Sequence, residues 1–355
     1  MAAPRFHQLT LKSVDQDTDD AVRLTFDIPA TLAADYAFTP GQYLTLRSEI
    51  DGQDTRRSYS ICSAIGEDLS VGVKAIEGGL FSNHALTLKP GDSLDVMTPQ
   101  GRFMAPIGGK HDYLLLAAGS GITPILSIAK SVLEGEPDST ITLAYANRTT
   151  DSVMFREEIE DLKDRFITRF LLTHVMDEEA QDIELFNGRL DREKLETLRI
   201  RGLIDPARYT AIYICGPQPM IDAASEALLA MDVPQERLKF ELFTPSTPLR
   251  TAGEAKKARV SKIGAEVEVI LDGASRKFAL EPGEEMVSAA ARAGLEIPYS
   301  CNNGMCATCR CKLAVGTAEM AQNFSLEPWE TEAGFILACQ TRPTSDRIVL
   351  DFDAV

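Results

Sequence analysis

Four cysteines carry the clearest chemistry in this sequence. Cys301, Cys306 and Cys309 follow one another as C-x4-C-x2-C, and Cys339 stands apart as a fourth. This spacing is one in which four thiolates hold the two irons of a [2Fe–2S] cluster. Three of them come from one tight loop, Cys301-Asn302-Asn303-Gly304-Met305-Cys306-Ala307-Thr308-Cys309. The fourth must arrive on a separate strand to close the cage. The Asn-Asn-Gly run favours unusual backbone angles, and such a loop turns backbone N–H groups toward the sulfurs. A cluster of this kind passes one electron at a time, so the chemistry expected is electron transfer. Two other readings stay open. C-x2-C pairs also build zinc sites. A structural zinc ordinarily takes two short Cys/His pairs, whereas here the fourth cysteine stands alone with no histidine near it. A disulfide is the third reading. Cys311 reads as a buried or spare thiol, or as a substitute ligand.

A second group of residues suits an aromatic, phosphate-bearing cofactor. In Arg57-Ser58-Tyr59-Ser60 an Arg can pair with a phosphate, a Tyr can stack on a ring and a Ser hydroxyl can reach a ring nitrogen. Strand alternation puts Arg57 and Tyr59 on one face. Gly78-Gly79-Leu80-Phe81-Ser82 precedes a short helix expected over about Phe81–Leu88, and glycines there let backbone N–H groups approach an anion. Each signal alone is weak: a strand Arg–Tyr pair is ordinarily surface and core, and the glycines ordinarily a capped turn. The two gain weight together.

A third group suits a nicotinamide nucleotide. Leu114–Ala118, Gly119-Ser120-Gly121 and Ile122-Thr123-Pro124 read as strand, glycine turn and helix start. The pattern departs from G-x-G-x-x-G, because Pro124 stands where the third glycine would be. Cys215-Gly216-Pro217 ends another strand at the same sheet edge, where ligands bind in parallel sheets. Cys215 is expected near the nicotinamide; a buried strand cysteine is the plain alternative. Asn147 and Arg148 end the next strand. Arg148 suits a 2′-phosphate, where an acidic residue would suit NADH, so NADPH is expected in preference to NADH, against a merely solvated Arg.

These residues need several domains to position them. The chain has 355 residues, too many for one ordinary core. Hydrophobic residues make up 44% and charged residues 25%, as in globular proteins. The net charge of −17 argues against nucleic acid and fits either plain solubility or docking on a basic partner. Seven cysteines over so long a chain do not resemble a secreted disulfide framework. With no signal peptide in view, and the apolar stretch Tyr113–Ala129 broken by Gly119, Ser120, Gly121 and Pro124, the expectation is a cytoplasmic protein without a membrane span.

The pattern predicts a multidomain chain. Short strands punctuated by Pro-Gly and Asp-Gly turns, among them Gln8–Val14, Ala21–Ile28, Tyr43–Arg47, Arg57–Ser63 and Leu69–Val73, predict an antiparallel β-barrel over residues 1–107. Strands alternating with helices predict a Rossmann-like parallel α/β domain over 108–245. A linker is expected at 246–262. A hairpin around Asp272-Gly273, a helix near Glu284–Ala293 and the cysteine loop predict a β-grasp domain over 263–355. His7, His84, His111 and His174 form no metal or triad pattern, and neither a Glu-x-x-His pair nor a Cys-x-His pair is present to activate oxygen. Trp329, beside Pro328, suits either a partner-docking face or packing, and packing is the expectation.

In this order the parts resemble the ferredoxin–NADP reductase superfamily fused to a C-terminal plant-type ferredoxin, over nearly the whole chain. The resemblance implies FAD, rather than FMN, on Arg57, Ser58, Tyr59, Ser60, Val73 and Lys74 and at the pyrophosphate loop of Gly78, Gly79, Phe81 and Ser82. It implies NADPH on Gly119, Gly121, Ile122, Thr123 and Pro124 with Cys215, Gly216 and Pro217. The acidic–aromatic segment Phe240-Glu241-Leu242-Phe243, with Glu241 and Phe243, would close the module near the flavin. Ser60, Tyr59 and Cys215 are the residues expected at the reacting rings. A narrower likeness, in Val73-Lys74-Ala75-Ile76-Glu77-Gly78-Gly79, Cys306-Ala307-Thr308-Cys309, Ser325-Leu326-Glu327-Pro328 and the ending 343–353, is to the reductase subunits of phenylacetyl-CoA epoxidases. It implies electron flow from NADPH through FAD and 2Fe–2S to a multicomponent di-iron oxygenase of aerobic phenylacetate breakdown. Reductases of Rieske and steroid hydroxylases share the layout, and a zinc-containing binding module is the competing class.

Overall fold

The alternation of the first hundred residues becomes a six-stranded sheet in the computed structural model, which describes residues 4–243 and 259–354. Its strands are β1 (Phe6–Thr18), β2 (Ala21–Asp27), β3 (Tyr43–Ile50), β4 (Gln53–Ser60), β5 (Ser70–Lys74) and β6 (Ser93–Met97), in the order β4-β3-β6-β1-β2-β5. Pairs β1–β2, β1–β6, β2–β5 and β3–β6 are antiparallel. The strand expected to reach Ser63 ends at Ser60, and Ile61 instead bridges Val71 of β5. That bridge curls the sheet back toward its own far edge. Inward-facing residues such as Leu9, Leu24, Phe26, Leu44 and Leu46 are buried. Helix α1 (Leu80–Ala85) is shorter than expected, because the N–H and hydroxyl of Thr87 both donate to the His84 carbonyl and close it.

The second sheet is parallel and built from β7 (Asp112–Ala118), β8 (Thr140–Asn147), β9 (Phe170–Met176), β10 (Ala211–Gly216) and β11 (Leu238–Leu242), in the order β11-β10-β7-β8-β9. Helices α2 (Ile122–Gly135), α3 (Arg156–Arg165), α4 (Arg192–Ile200) and α5 (Gln218–Ala230) connect them. Both faces of β7 are covered, as the unbroken apolar run required. Tyr113, Leu115 and Ala117 join a core shared with α2, while Leu114 and Leu116 join one shared with α4 and α5. The strand order reverses between β7 and β10, which makes the crevice beyond their C-terminal ends the switch point of the sheet.

The third sheet contains β12 (Ala265–Leu271), β13 (Ala274–Leu280), β14 (Arg310–Val315), β16 (Phe335–Leu337) and β18 (Arg347–Asp351), in the order β13-β12-β18-β14-β16. The hairpin turns at Asp272 and Gly273, both at positive φ, and β18 pairs parallel with β12. Helices α6 (Met286–Arg292) and α7 (Pro328–Glu332) and the small pair β15 (Ala318–Met320) with β17 (Thr341–Pro343) complete it. Most of the expected linker, residues 246–258, lies outside the described residues. The chain falls into two compact units, one of Phe6–Thr55 and Tyr59–Ser246 and one of Thr247–Val355 with Met1–Arg5 and Arg56–Ser58. Among the described residues no helix is long and apolar enough to cross a membrane.

Candidate functional site

At the end of β4 burial increases along the chain rather than alternating. Ser60 is buried, Ser58 and Tyr59 are half-buried, and Arg57 is exposed with its guanidinium donating to the Arg56 carbonyl at 2.7 Å. The Tyr59 ring lies 5.6 Å from that of Phe81 in α1. The Ser60 hydroxyl donates to Glu241 at 3.1 Å, tying the barrel strand to β11. Val73 is buried in the barrel core, and Lys74 pairs with Asp20 at 3.0 Å. Gly78 has φ +70, and a Cβ on Gly79 would lie 2.4 Å from the Ser82 hydroxyl. That hydroxyl accepts the Ile76 N–H at 3.3 Å. No side chain caps the start of α1, so the first-turn N–H groups remain available to an anion.

The glycine turn after β7 meets the end of β10 closely. A Cβ on Gly121 would sit 2.2 Å from the Cys215 carbonyl oxygen, so only glycine lets the turn settle into the switch-point crevice. Gly119, at φ +52, has its carbonyl held by the Tyr145 hydroxyl at 3.0 Å. Thr123 donates to Ser120 at 3.0 Å, and Ile122, Thr123 and Pro124 are buried in the first turn of α2. Gly216 is similarly tight, a Cβ there lying 2.7 Å from the Met220 methyl. Pro217 begins α5. Neither α2 nor α5 has a side-chain cap, whereas α4 is capped by Asp191. α3 is uncapped as well; α2 and α5 are the two that start beside the β7 and β10 turns. Cys215 pairs in register with Glu241 and is fully buried, and burial, with Glu241 beside it, pushes its thiol well above the ordinary value. Phe243 packs on the same core. Asn147 is buried at the end of β8, and Arg148 after it is exposed with no ion pair among the described residues.

The four cysteines come together. Asn302 and Gly304 take positive φ of 55° and 74°, as the Asn-Asn-Gly run predicted. The N–H groups of Asn303, Met305 and Cys306 each point at the Cys301 sulfur from 3.4 Å. The Cys339 N–H points at Cys309 from 3.5 Å. Cys301 hydrogen-bonds with Cys306, and Cys309 with Cys339. Contact with the Cys301 thiol, joined by the Thr308 hydroxyl at 3.1 Å, holds Cys306 toward thiolate against the cost of burial, while the same contact pushes Cys301 up. Among the described residues no group of three His, Cys, Asp or Glu side chains is placed around one ion. Four sulfurs brought together as two pairs are compatible with a binuclear centre, one pair to each iron. Cys311 faces the core, its thiol directed at the Ile336 carbonyl and pushed up by burial.

Sequence reasoning passed over several neighbours. Thr308 and Gln340, whose amide donates to Cys339 at 3.4 Å, sit beside two of the four cysteines, which was the available signal. Trp329 corrects an expectation: it is 55% exposed, its indole N–H donating to Glu327 at 2.7 Å.

Residues 8–104 match the oxidoreductase FAD-binding domain family, residues 115–226 the oxidoreductase NAD-binding domain and residues 269–344 the 2Fe-2S iron-sulfur cluster binding domain. A subunit of the 1,2-phenylacetyl-CoA epoxidase of Escherichia coli is 43% identical over 98% of both chains. The ferredoxin reductase component of 3-ketosteroid-9-alpha-monooxygenase from Rhodococcus rhodochrous is 33% identical over 97% of this chain and 96% of its own. The chain belongs to the family of oxygenase reductase components. Like other members of this reductase family it is an oxidoreductase with flavin, nicotinamide and iron–sulfur domains. The solved structure of phthalate dioxygenase reductase shares the fold, with a TM-score of 0.60 at 22% identity over 98% of each chain.

Proposed function

We propose that this chain passes electrons from NADPH to FAD, on to a 2Fe–2S cluster and out to a separate oxygenase, most specifically the di-iron phenylacetyl-CoA epoxidase of aerobic phenylacetate breakdown. The observation that carries the reading is the convergence of Cys301, Cys306, Cys309 and Cys339 in a chain with flavin and nicotinamide domains; four such sulfurs would hold a one-electron centre. The partner rests on the 43% likeness in sequence and in order of parts to one component of such an epoxidase. The steroid-hydroxylase relative supports a second partner class. The division at 1–107, 108–245 and 263–355, with a linker at 246–262, belongs to the same proposal.

A bound FAD would supply the exchange between a two-electron hydride and single electrons. The residues supply place and orientation. Arg57 would pair with a flavin phosphate, and the N–H groups opening α1 beside Gly78, Gly79 and Ser82 would meet the pyrophosphate. Tyr59 would cover one ring face. Ser60, oriented by Glu241, would reach a ring nitrogen. The uncapped starts of α2 and α5 would take the nucleotide pyrophosphate, and the buried, protonated Cys215 would border the nicotinamide as an uncharged wall. Arg148 would meet the 2′-phosphate. No protein base is required, because hydride transfer moves both electrons without one.

The test combines purified phenylacetyl-CoA oxygenase subunits with this protein, NADPH and oxygen. Phenylacetyl-CoA loss that requires this chain supports the full reading. Active cytochrome c reduction by NADPH without substrate loss keeps the electron transfer and rejects the epoxidase as partner.

A further inference from the structure

Phe155 stands just before α3 at φ 56°, ψ 31°. A bulky side chain rarely takes the left-handed region, and does so only where its surroundings impose it. The surroundings here belong to the barrel. Both carboxylate oxygens of Asp17, in β1, accept the Phe155 N–H, at 3.0 and 3.1 Å. The Arg23 guanidinium, from β2, lies 4.7 Å from the ring centroid. Arg23 also pairs with Glu158, in the first turn of α3, and Glu158 pairs with Lys130 of α2. The ring is therefore fixed by its backbone, by its face and by the helix that follows.

The edge of that ring fills a space left by Gly72 on β5. A Cβ at Gly72 would lie 2.7 Å from Phe155 Cζ and 2.8 Å from Thr123 Cγ2. Gly72 is not among the positive-φ glycines, so its missing side chain serves space rather than backbone freedom. Thr123 belongs to the turn assigned above to the nicotinamide nucleotide. β5 leads directly to Gly78 and Gly79, assigned to the flavin pyrophosphate. One three-residue contact thus joins the two turns.

We propose that Gly72 and Phe155 are positioning residues that set how closely the nicotinamide turn seats against the flavin barrel, and so the geometry of hydride transfer. This rests on the electron-transfer reading above. In the step concerned, the C4–H bond of the dihydronicotinamide breaks. The hydrogen leaves with the bonding electron pair and bonds to the flavin ring, so nicotinamide is oxidised and flavin reduced. Donor and acceptor must approach to about 3–3.5 Å, and a displacement of about 1 Å far from the chemistry costs on the order of a hundredfold in rate. A methyl at Gly72 cannot be absorbed by a ring pinned on three sides. The displacement therefore passes to Thr123 and its turn.

The experiment uses full-length protein carrying FAD and cluster, with G72A and, as a variant that adds no clash, F155L. Flavin reduction by NADPH is followed in single turnover. NADP+ affinity is measured by calorimetry, and the long-wavelength charge-transfer absorbance of the flavin–nicotinamide pair is recorded. The expected result for G72A is flavin reduction slowed about tenfold or more, with a weakened charge-transfer band and NADP+ affinity within about twofold of the unmodified protein. F155L, whose turn loses its support, should slow reduction about threefold or more with the same unchanged affinity. Unaltered rates and band in both variants would overturn the positioning role, as would losses of rate and affinity in proportion. An unmodified protein whose flavin NADPH does not reduce would overturn the electron-transfer reading, and this proposal with it.

Discussion

Replacing Cys339 by alanine removes one of the four sulfurs that meet in two pairs. We expect C339A to lose the visible absorbance of the cluster and to reduce cytochrome c only at background, while NADPH-driven ferricyanide reduction through the flavin persists. Loss of both reactions would place the cysteine in general stability instead. Arg148 offers a second test. Its guanidinium is exposed and makes no ion pair among the described residues, so R148A should raise KM for NADPH about tenfold and leave KM for NADH nearly unchanged. Equal effects on the two nucleotides would sink the assignment to the 2′-phosphate. At this scale the cysteines were legible because rare side chains at fixed spacing have few other reasons to occur. Their convergence and the positive φ of Asn302 and Gly304 followed from the same pattern. Phe155 was not legible, since nothing in its residue type announces a left-handed backbone. Trp329 was misread because burial depends on what packs against it, which one residue cannot show.

The turns and helix starts were readable in kind, and their contacts were not. Gly119-Ser120-Gly121 and Gly216-Pro217 were recognisable as strand-to-helix turns, but not that a Cβ on Gly121 would meet the Cys215 carbonyl at 2.2 Å. G121A should weaken NADP+ binding about tenfold or more while flavin and cluster absorbance stay unchanged; calorimetry beside a visible spectrum decides it. Element ends shifted where side chains intervened, as at Thr87, and β11 escaped notice because half-buried Leu238–Leu242 carries no continuous apolar run. The junction of α2, α3 and the barrel adds a pH dependence. Burial favours the protonated form of Glu158, but Arg23 and Lys130 outweigh it and hold its carboxyl below the ordinary value of 4.5. A depressed folded value means that the stabilisation is present above the unfolded value and is lost as pH falls through the folded one. The melting temperature should therefore fall more steeply below about pH 4.5 in the unmodified protein than in E158Q. Parallel acid profiles would show that the pair contributes nothing measurable.

Among the described residues, three large sheets of different character, with the small β15–β17 pair beside the last, appear in the order that the changes of pattern announced: antiparallel and curled, parallel and doubly covered, then mixed around a hairpin. Period-two alternation, unbroken apolar runs and the Asp-Gly hairpin each dictate one of them through burial on one face, on both faces, or at a tight turn. The strand order inside each sheet was out of reach, because it is decided by pairings distant in sequence. Flavin and cluster are expected to fill consecutively from a nicotinamide. The most direct test is an anaerobic titration of the holoprotein with NADPH, read in the visible spectrum and by electron paramagnetic resonance. The expected result is bleaching of both chromophores, electron uptake beyond what the flavin alone accepts, and the signal of a reduced binuclear iron–sulfur centre. A protein that stops at flavin reduction, or that carries zinc and shows no such signal, would contradict it.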